Sequence, residues 1–220
     1  MDENRALVLR GDRDDLARIR TEATISVMVL DRSGSMSRYR STPQDAVNAH
    51  MAQLRLDANN DHFCGVVSFA DDARVEVPFG HISTVRPMAG YRADGNTLLW
   101  ATVHQVMDEL WQQYERVLLG KADQPLSLRF VIGVFSDGAD NESARERFPV
   151  TLQLLAAMAR EAGWELLTFG IGIDGCQLAE EMGFPTDEAH AVTVAASVEG
   201  VHRASQTFSS ATMAGGRRRR

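Results

Sequence analysis

Short apolar runs alternate with longer segments of helical periodicity along most of this chain, and this alternation constrains the fold more than any other feature. Residues 24–30, 63–69, 128–135 and 164–170 form runs of strand length that are apolar nearly throughout. Such runs are typical of parallel strands that helices cover on both faces. The pattern therefore predicts βαβ units and a mainly parallel sheet.

The segments between these runs have the spacing of amphipathic helices. In the longest of them, Leu99, Val103, Val106 and Leu110 recur every three or four residues after Thr97, which places them on one helical face. Apolar spacing of the same kind predicts four further helices, at residues 43–58, 143–162, 177–182 and 197–208.

Residues 74–79 alternate as a strand only a few residues after the run 63–69, with Asp71 and Asp72 marking a tight turn between them. A parallel return needs a long crossover, so these two strands must be antiparallel and the second should lie at a sheet edge. With a weak strand at 189–194, the expected fold is α/β. It is doubly wound and Rossmann-like, a six-stranded mostly parallel sheet with one antiparallel edge strand and helices on both faces.

The length of 220 residues suits one such domain, expected at residues 22–210 between a charged extension at 1–21 and a flexible, arginine-rich tail at 211–220. No apolar run approaches the roughly 20 residues that cross a bilayer. The first 20 residues lack the apolar core of a signal peptide, and the two cysteines are isolated. We therefore expect a cytoplasmic protein without a membrane partner.

The net charge of −7 makes nucleic-acid binding unlikely, because an acidic body repels phosphate backbones. The chain is more acidic still without its four terminal arginines, Arg217 to Arg220. That basic end leaves one alternative open, a contact with an anionic ligand through the tail.

Oxygen-bearing side chains follow two of the predicted strands. Asp31 ends the first strand and begins the run Asp31-Arg32-Ser33-Gly34-Ser35, while Asp137 ends the fourth strand. If these strands are neighbours, both carboxylates meet in one crevice beyond the carboxyl ends of the strands. Carboxylates and hydroxyls are hard ligands that suit Mg²⁺, Mn²⁺ or Ca²⁺ better than zinc. The alternative is a simple turn in which these side chains bond the backbone.

The spacing Asp31-x-Ser33-x-Ser35 resembles the metal-ion-dependent adhesion site, or MIDAS, of von Willebrand factor A-type (VWA) domains. The family pattern adds a threonine, matched by Thr97, and an aspartate before a glycine, matched by Asp137. The resemblance spans about residues 22–210. It implies that the two serines bind the metal directly and Thr97 directly or through water. The two aspartates would act directly or through water, depending on the state of the domain.

A metal-dependent protein-binding module without catalysis is the function that this resemblance implies, with Mg²⁺ as the favoured ion and Mn²⁺ or Ca²⁺ as alternatives. The partner would supply an Asp or Glu to an open position on the metal. Residues that flank the motif and are expected to contact the partner are Arg32, Arg38, Tyr39, Arg92, Leu98 and Trp100. Standalone bacterial relatives often work beside AAA+ ATPases or beside kinases and phosphatases in stress or defence operons, which implies an adaptor or regulator.

Three further interpretations accompany this one. A divalent-metal-dependent phosphohydrolase is the alternative function, although Ser33 stands where such enzymes carry a second aspartate as general acid. The closing helix at 197–208 would be the element that moves if the domain switches between two states. Asp140 and Asn141 are interpreted as the cap of the helix that follows them.

Overall fold

The computed structural model describes residues 22–120, 127–143 and 148–214. The predicted extension at 1–21 and the last six residues of the predicted tail lie outside these ranges. The strands in the described part are β1 (Glu22–Asp31), β2 (His62–Phe69), β3 (Ala73–His81), β4 (Ser127–Ser136), β5 (Glu165–Ile171) and β6 (Ala191–Val194). The helices there are a 3₁₀ helix (Gly34–Tyr39), α1 (Thr42–Leu56), α2 (Leu99–Gly120), α3 (Phe148–Glu161), α4 (Gly175–Met182) and α5 (Val198–Ala214).

The six strands form one sheet in the order β3-β2-β1-β4-β5-β6. All neighbours are parallel except β2 and β3, which pair antiparallel, so the predicted edge strand and doubly wound fold are confirmed. The order reverses at β1, which pairs with β2 on one side and with β4 on the other. In doubly wound sheets this reversal opens a crevice at the carboxyl ends of the strands.

Alternate residues of β1 supply two separate apolar cores. Val27 and Val29 face the core that α2, α3 and α4 cover. Met28 and Leu30 face the opposite core, which the 3₁₀ helix, α1 and α5 cover. Successive side chains of a strand point to opposite faces of the sheet, so a run that is apolar throughout must be covered twice.

The end of the last helix differs from the sequence prediction. The final helix, α5, continues to Ala214 instead of ending near Phe208, so the start of the predicted tail, residues 211–214, is helical. Arg129 donates hydrogen bonds of 2.7 Å to the carbonyls of Ala211 and Thr212, which helps to satisfy the carbonyls that a helix end leaves free. None of the described helices combines the length and apolar character that crossing a membrane requires.

A buried histidine joins β1, α1 and α5. His50 Nδ1 lies 2.9 Å from Ser209 Oγ, and its Nε2 lies 3.5 Å from Ser26 Oγ. The ring also stacks in a tilted arrangement on Phe208, with 4.9 Å between centroids. Burial disfavours the charged imidazolium and lowers the pKa of His50 from 6.5 to about 3, with a smaller contribution from His62.

We expect acid to destabilise the protein through this histidine. Because the pKa of His50 is lower in the folded chain, its contribution is fully present above pH 6.5 and is lost as the pH falls from 6.5 towards 3. Each pH unit below the pKa of the unfolded chain lowers the unfolding free energy by about 1.36 kcal/mol, so the loss at pH 5 is about 2 kcal/mol. Urea unfolding of His50→Gln should therefore show a smaller decrease in unfolding free energy between pH 7 and pH 5 than wild type shows.

His202→Gln, which removes a partly exposed histidine from α5, is the matched control. If the decrease in unfolding free energy between pH 7 and pH 5 is the same in wild type and His50→Gln, this account of His50 is wrong.

Candidate metal site

Two strand ends bring the acidic residues together. Asp31 is the last residue of β1 and Ser136 is the last residue of β4. Leu30 pairs with Phe135 in the parallel register, so the residues that follow each strand leave the same edge of the sheet side by side. Asp137 therefore enters the crevice next to Asp31, as expected for neighbouring strands at the reversal of order.

The carboxylate of Asp31 is fully buried and hydrogen-bonded through both oxygens. Its Oδ1 accepts a 2.7 Å bond from the backbone N–H of Ser33, and its Oδ2 accepts a bond from Ser136 Oγ. Burial nevertheless raises the pKa of Asp31 to about 6, because these neutral donors offset only part of the cost of removing the charge from water. The ionised site is therefore destabilised unless a positive charge joins it.

A chain of hydrogen bonds links the remaining residues of the first and fourth strand ends. Ser33 Oγ lies 3.0 Å from Ser35 Oγ, and Ser35 Oγ donates a 2.6 Å bond to Asp137 Oδ1. Four oxygen-bearing side chains, those of Asp31, Ser33, Ser35 and Asp137, are thus clustered at one point although they come from two distant parts of the sequence.

The loop that carries Thr97 is tied to both loops that carry the cluster. Gly34 N donates a 2.9 Å bond to Gly95 O, which ties the loop before Thr97 to the loop after β1. Thr97 N donates a 2.8 Å bond to Asn141 Oδ1, which ties it to the loop after β4. A Cβ placed on Gly138 would lie 3.9 Å from Thr97 Oγ1. The Thr97 hydroxyl therefore lies beside the segment that carries Asp137.

Asp140 and Asn141 hydrogen-bond to residues at the start of α2, which precedes them in the chain. Asp140 Oδ2 accepts a 2.8 Å bond from Trp100 N, and Asn141 binds Thr97 N, so both residues hold the start of α2. Asp140 Oδ1 also accepts a 2.8 Å bond from Ser143 N, three residues further on, as a capping residue does. Residues 144–147, which lead to α3, lie outside the described ranges, so the cap of the following helix stays a prediction. The amide groups that these side chains satisfy at the start of α2 lie about 40 residues earlier, which local sequence cannot reveal.

Two residues of the crevice were missed in the sequence. Ser136 donates to Asp31 Oδ2, and the hydroxyl of Tyr91 donates a 2.7 Å bond to the carbonyl of Asp31. The only signal for Ser136 was its position at the end of an apolar strand, directly before Asp137. Nothing in the sequence around Tyr91 distinguished it from an ordinary loop residue.

The structure divides the six expected partner-contacting residues into two groups. Arg32, Tyr39 and Trp100 are 4%, 2% and 8% exposed, so the expectation that they form an accessible surface is not met. Arg32 instead forms an ion pair with Asp72, and Trp100, in the first turn of α2, packs in the core. Arg38 and Arg92 are exposed, and Leu98 is partly exposed.

Arg38 supplies a positive charge at the rim of the cluster. Its guanidinium donates a 2.6 Å bond to Asp137 Oδ2, with the Arg38 side chain 51% exposed and that of Asp137 buried. The bond to Asp137 raises the pKa of Arg38. Asp137 is thus compensated by a cation, whereas Asp31 has only neutral donors.

The residues present fit a hard divalent cation. The cluster offers two buried carboxylates and nearby hydroxyls, and oxygen ligands of this kind suit Mg²⁺, Mn²⁺ and Ca²⁺. In residues 22–120, 127–143 and 148–214 there is no group of three His, Cys, Asp or Glu side chains that could hold a metal. A cation bound by the described residues would therefore depend on serine and threonine hydroxyls to complete its shell.

Residues 26–119 match the family model described as the von Willebrand factor type A domain. No curated protein matches the sequence. Solved structures match over most of the described chain, although at identities below 25%, where the likeness shows the fold alone.

Three of these structures illustrate the match. The pilus adhesin SpaC from Lactobacillus rhamnosus GG, in its open conformation, is 14% identical with a TM-score of 0.62, covering 87% of this chain and 30% of that chain. The vWF domain of the type V pili tip protein Mfa5 from Porphyromonas gingivalis is 12% identical with a TM-score of 0.58, covering 91% of this chain and 98% of that chain. Proximal thread matrix protein 1 from the mussel byssus, with a zinc-occupied MIDAS motif, is 15% identical with a TM-score of 0.55. The match covers 88% of this chain and 47% of that chain.

The chain thus spans less than half of the mussel and SpaC proteins and nearly the whole of the Mfa5 domain. The family model covers less than half of the chain, and the structural neighbours show the fold: the six-stranded mixed sheet is the VWA, Rossmann-like fold. Domains of this fold commonly serve protein–protein interaction and adhesion.

Proposed function

We propose that this VWA-fold chain binds one divalent cation through Asp31, Ser33, Ser35, Thr97 and Asp137 and, through that cation, a carboxylate of a protein partner. The observation that carries the proposal is the hydrogen-bonded cluster of Asp31, Ser33, Ser35 and Asp137 at the carboxyl edge of the sheet. Mg²⁺ is the favoured ion, with Mn²⁺ and Ca²⁺ as alternatives. A zinc-occupied MIDAS in the mussel protein supports a divalent cation in this type of site.

The electrostatics of the cluster also supports the binding of a divalent cation. Burial raises the pKa of the Asp31 carboxyl, and the nearby Asp137 carboxylate adds a smaller contribution in the same direction. A divalent cation would offset both charges. Direct ligation by neutral serine and threonine hydroxyls would leave that cation electrophilic, so it would gain from an incoming carboxylate.

Binding without catalysis is the better-supported activity. Both oxygens of Asp31 accept hydrogen bonds and the side chain is fully buried, which does not suit a nucleophile that must reach a phosphoester. Position 33 carries a hydroxyl instead of the second carboxyl that an aspartate-based phosphatase uses as general acid. No observation favours the phosphohydrolase alternative.

The partner surface is proposed at the rim around the cluster, where Arg38, Arg92 and Leu98 are accessible. Exposed arginines near the cation would favour an acidic segment on the partner. The wider setting, a cytoplasmic adaptor or regulator beside an AAA+ ATPase or a kinase and phosphatase system, rests on the family resemblance alone.

A peptide-display library with one fixed central Asp tests this function against a matched library with a fixed Asn. In Mg²⁺, wild type should enrich binders from the Asp library only, and EDTA should release them. Ser35→Ala should lose this enrichment, because it removes a hydroxyl from the cluster. Ser37→Ala, two residues further along the same 3₁₀ helix, should retain it.

Equal enrichment from the Asp and Asn libraries would contradict carboxylate recognition. Binding that persists in EDTA would contradict the role of the cation.

A further inference from the structure

Arg38 is the cationic side chain that hydrogen-bonds to the acidic cluster within the described part of the chain. Its guanidinium contacts Asp137 Oδ2 at 2.6 Å. The guanidinium of Arg32, which lies inside the motif, forms an ion pair with Asp72 instead. Among the residues that the structure describes, Arg38 is thus the cation that is hydrogen-bonded to the cluster.

The contact with Arg38 engages the second oxygen of the Asp137 carboxylate. Ser35 Oγ donates to Oδ1 and Arg38 donates to Oδ2, so both oxygens are engaged. A buried carboxylate needs a partner for its charge, and the guanidinium provides it with a charge-assisted bond. A divalent cation at the same cluster would supply that charge in place of Arg38.

The two cations cannot share Asp137 without cost. A guanidinium and a divalent ion on one carboxylate lie within a few ångströms of each other, and their repulsion is strong wherever water is partly excluded. Binding of the divalent ion is therefore coupled to departure of the guanidinium, because each cation binds Asp137 more tightly when the other is absent.

The local structure allows Arg38 to leave. Its backbone belongs to the 3₁₀ helix, which Met36 and Tyr39 anchor in the core. The Arg38 side chain itself is half exposed and lies over the Tyr39 ring at 4.9 Å. Rotation about side-chain bonds can thus move the guanidinium into water while the backbone that carries Ser35 stays in place.

We infer that Arg38 is a built-in counter-ion that competes with the divalent cation for Asp137 and thereby lowers the affinity of the site for that cation. The inference rests on the proposed metal site and adds a determinant of its affinity. Removing the guanidinium should tighten cation binding, whereas removing a nearby arginine that lacks the contact should not.

Isothermal titration of the full chain with MgCl₂ and MnCl₂ tests this inference. Arg38→Gln should bind the cation about tenfold more tightly than wild type, a moderate factor because the half-exposed side chain is screened by water. Arg38→Lys keeps the positive charge and should remain near wild type. Arg40→Gln removes the same charge two residues away and should change the affinity little.

The outcomes separate this inference from the metal site itself. If wild type binds the cation and Arg38→Gln binds it no more tightly, the competition is refuted and the metal site stands. If Arg40→Gln tightens binding as much as Arg38→Gln, net charge and not the Asp137 contact is responsible, which also refutes it. If neither wild type nor any variant binds a cation, both proposals fall.

Discussion

Asp31→Asn is expected to stabilise the cation-free protein at neutral pH and at the same time to abolish its stabilisation by Mg²⁺. Burial raises the pKa of Asp31 from 3.8 to about 6, so the folded chain disfavours the ionised carboxylate. The cost is fully present above pH 6 and disappears as the pH falls towards 4, where the side chain is protonated in both states. At pH 7 it amounts to about 3 kcal/mol, which the neutral amide should remove.

The amide can keep the hydrogen bonds that the carboxylate makes. Its oxygen can accept from Ser33 N, and its NH₂ can donate to Ser136 Oγ, since a hydroxyl both donates and accepts. What the variant loses is the negative charge that a cation requires. In Mg²⁺ at 100 times the dissociation constant, wild type should gain about 2.7 kcal/mol and the variant almost nothing.

Thermal unfolding in EDTA and in millimolar Mg²⁺ measures both effects. For a domain of this size 1 kcal/mol corresponds to about 2–4 °C, so each shift should reach several degrees. Asp45→Asn, an exposed aspartate on α1, is the control and should leave both melting temperatures near those of wild type. A wild type that no cation stabilises, or an Asp31→Asn protein that responds to Mg²⁺ as wild type does, would refute the metal site.

Phe208→Ala should be the most destabilising single truncation in α5. The ring is fully buried and packs against His50, Phe135 and Phe169, with centroid distances of 4.9, 5.8 and 6.5 Å. It also lies against the backbone of Gly133, where a Cβ would be only 2.5 Å from Phe208 Cδ2. Neighbouring side chains can fill the resulting cavity only in part, so the expected loss is about 3–5 kcal/mol.

Urea unfolding at pH 7 measures this loss as a difference in unfolding free energy. Val198→Ala truncates a side chain on the same helix that is 42% exposed, so it should cost well under half as much. A Phe208→Ala protein with wild-type stability would show that α5 is held to the sheet by other contacts, such as the Arg129 bonds to its last turn.

Much of the fold was predictable because its signals are local. A strand buried on both faces must be apolar throughout, and a helix on a sheet must repeat its apolar residues every three or four positions. Both patterns are visible in β1 and α2 without knowledge of the rest of the chain. The 3₁₀ helix was missed because one short turn leaves too few residues for a period to show.

The direction of side chains beside the motif was less predictable. Arg32, Tyr39 and Trp100 stand next to residues of the cluster in sequence, yet all three are buried, while Arg38 and Arg92 are exposed. The distance of a residue from the motif along the sequence shows which loop carries it. The packing of that loop against others decides which way its side chain turns.

The sequence by itself determined the α/β class, the antiparallel edge strand and the fact that aspartates follow two apolar strands. The tertiary structure alone decided that these strands are neighbours, and with that the cluster itself. Ser35 and Arg38 meet Asp137 across 102 and 99 residues, and Ser136 meets Asp31 across 105. Contacts at such separations depend on the order of strands in the sheet, which no local pattern encodes. The pairing of Arg38 with Asp137, which changes how cation binding is understood here, is a product of that order.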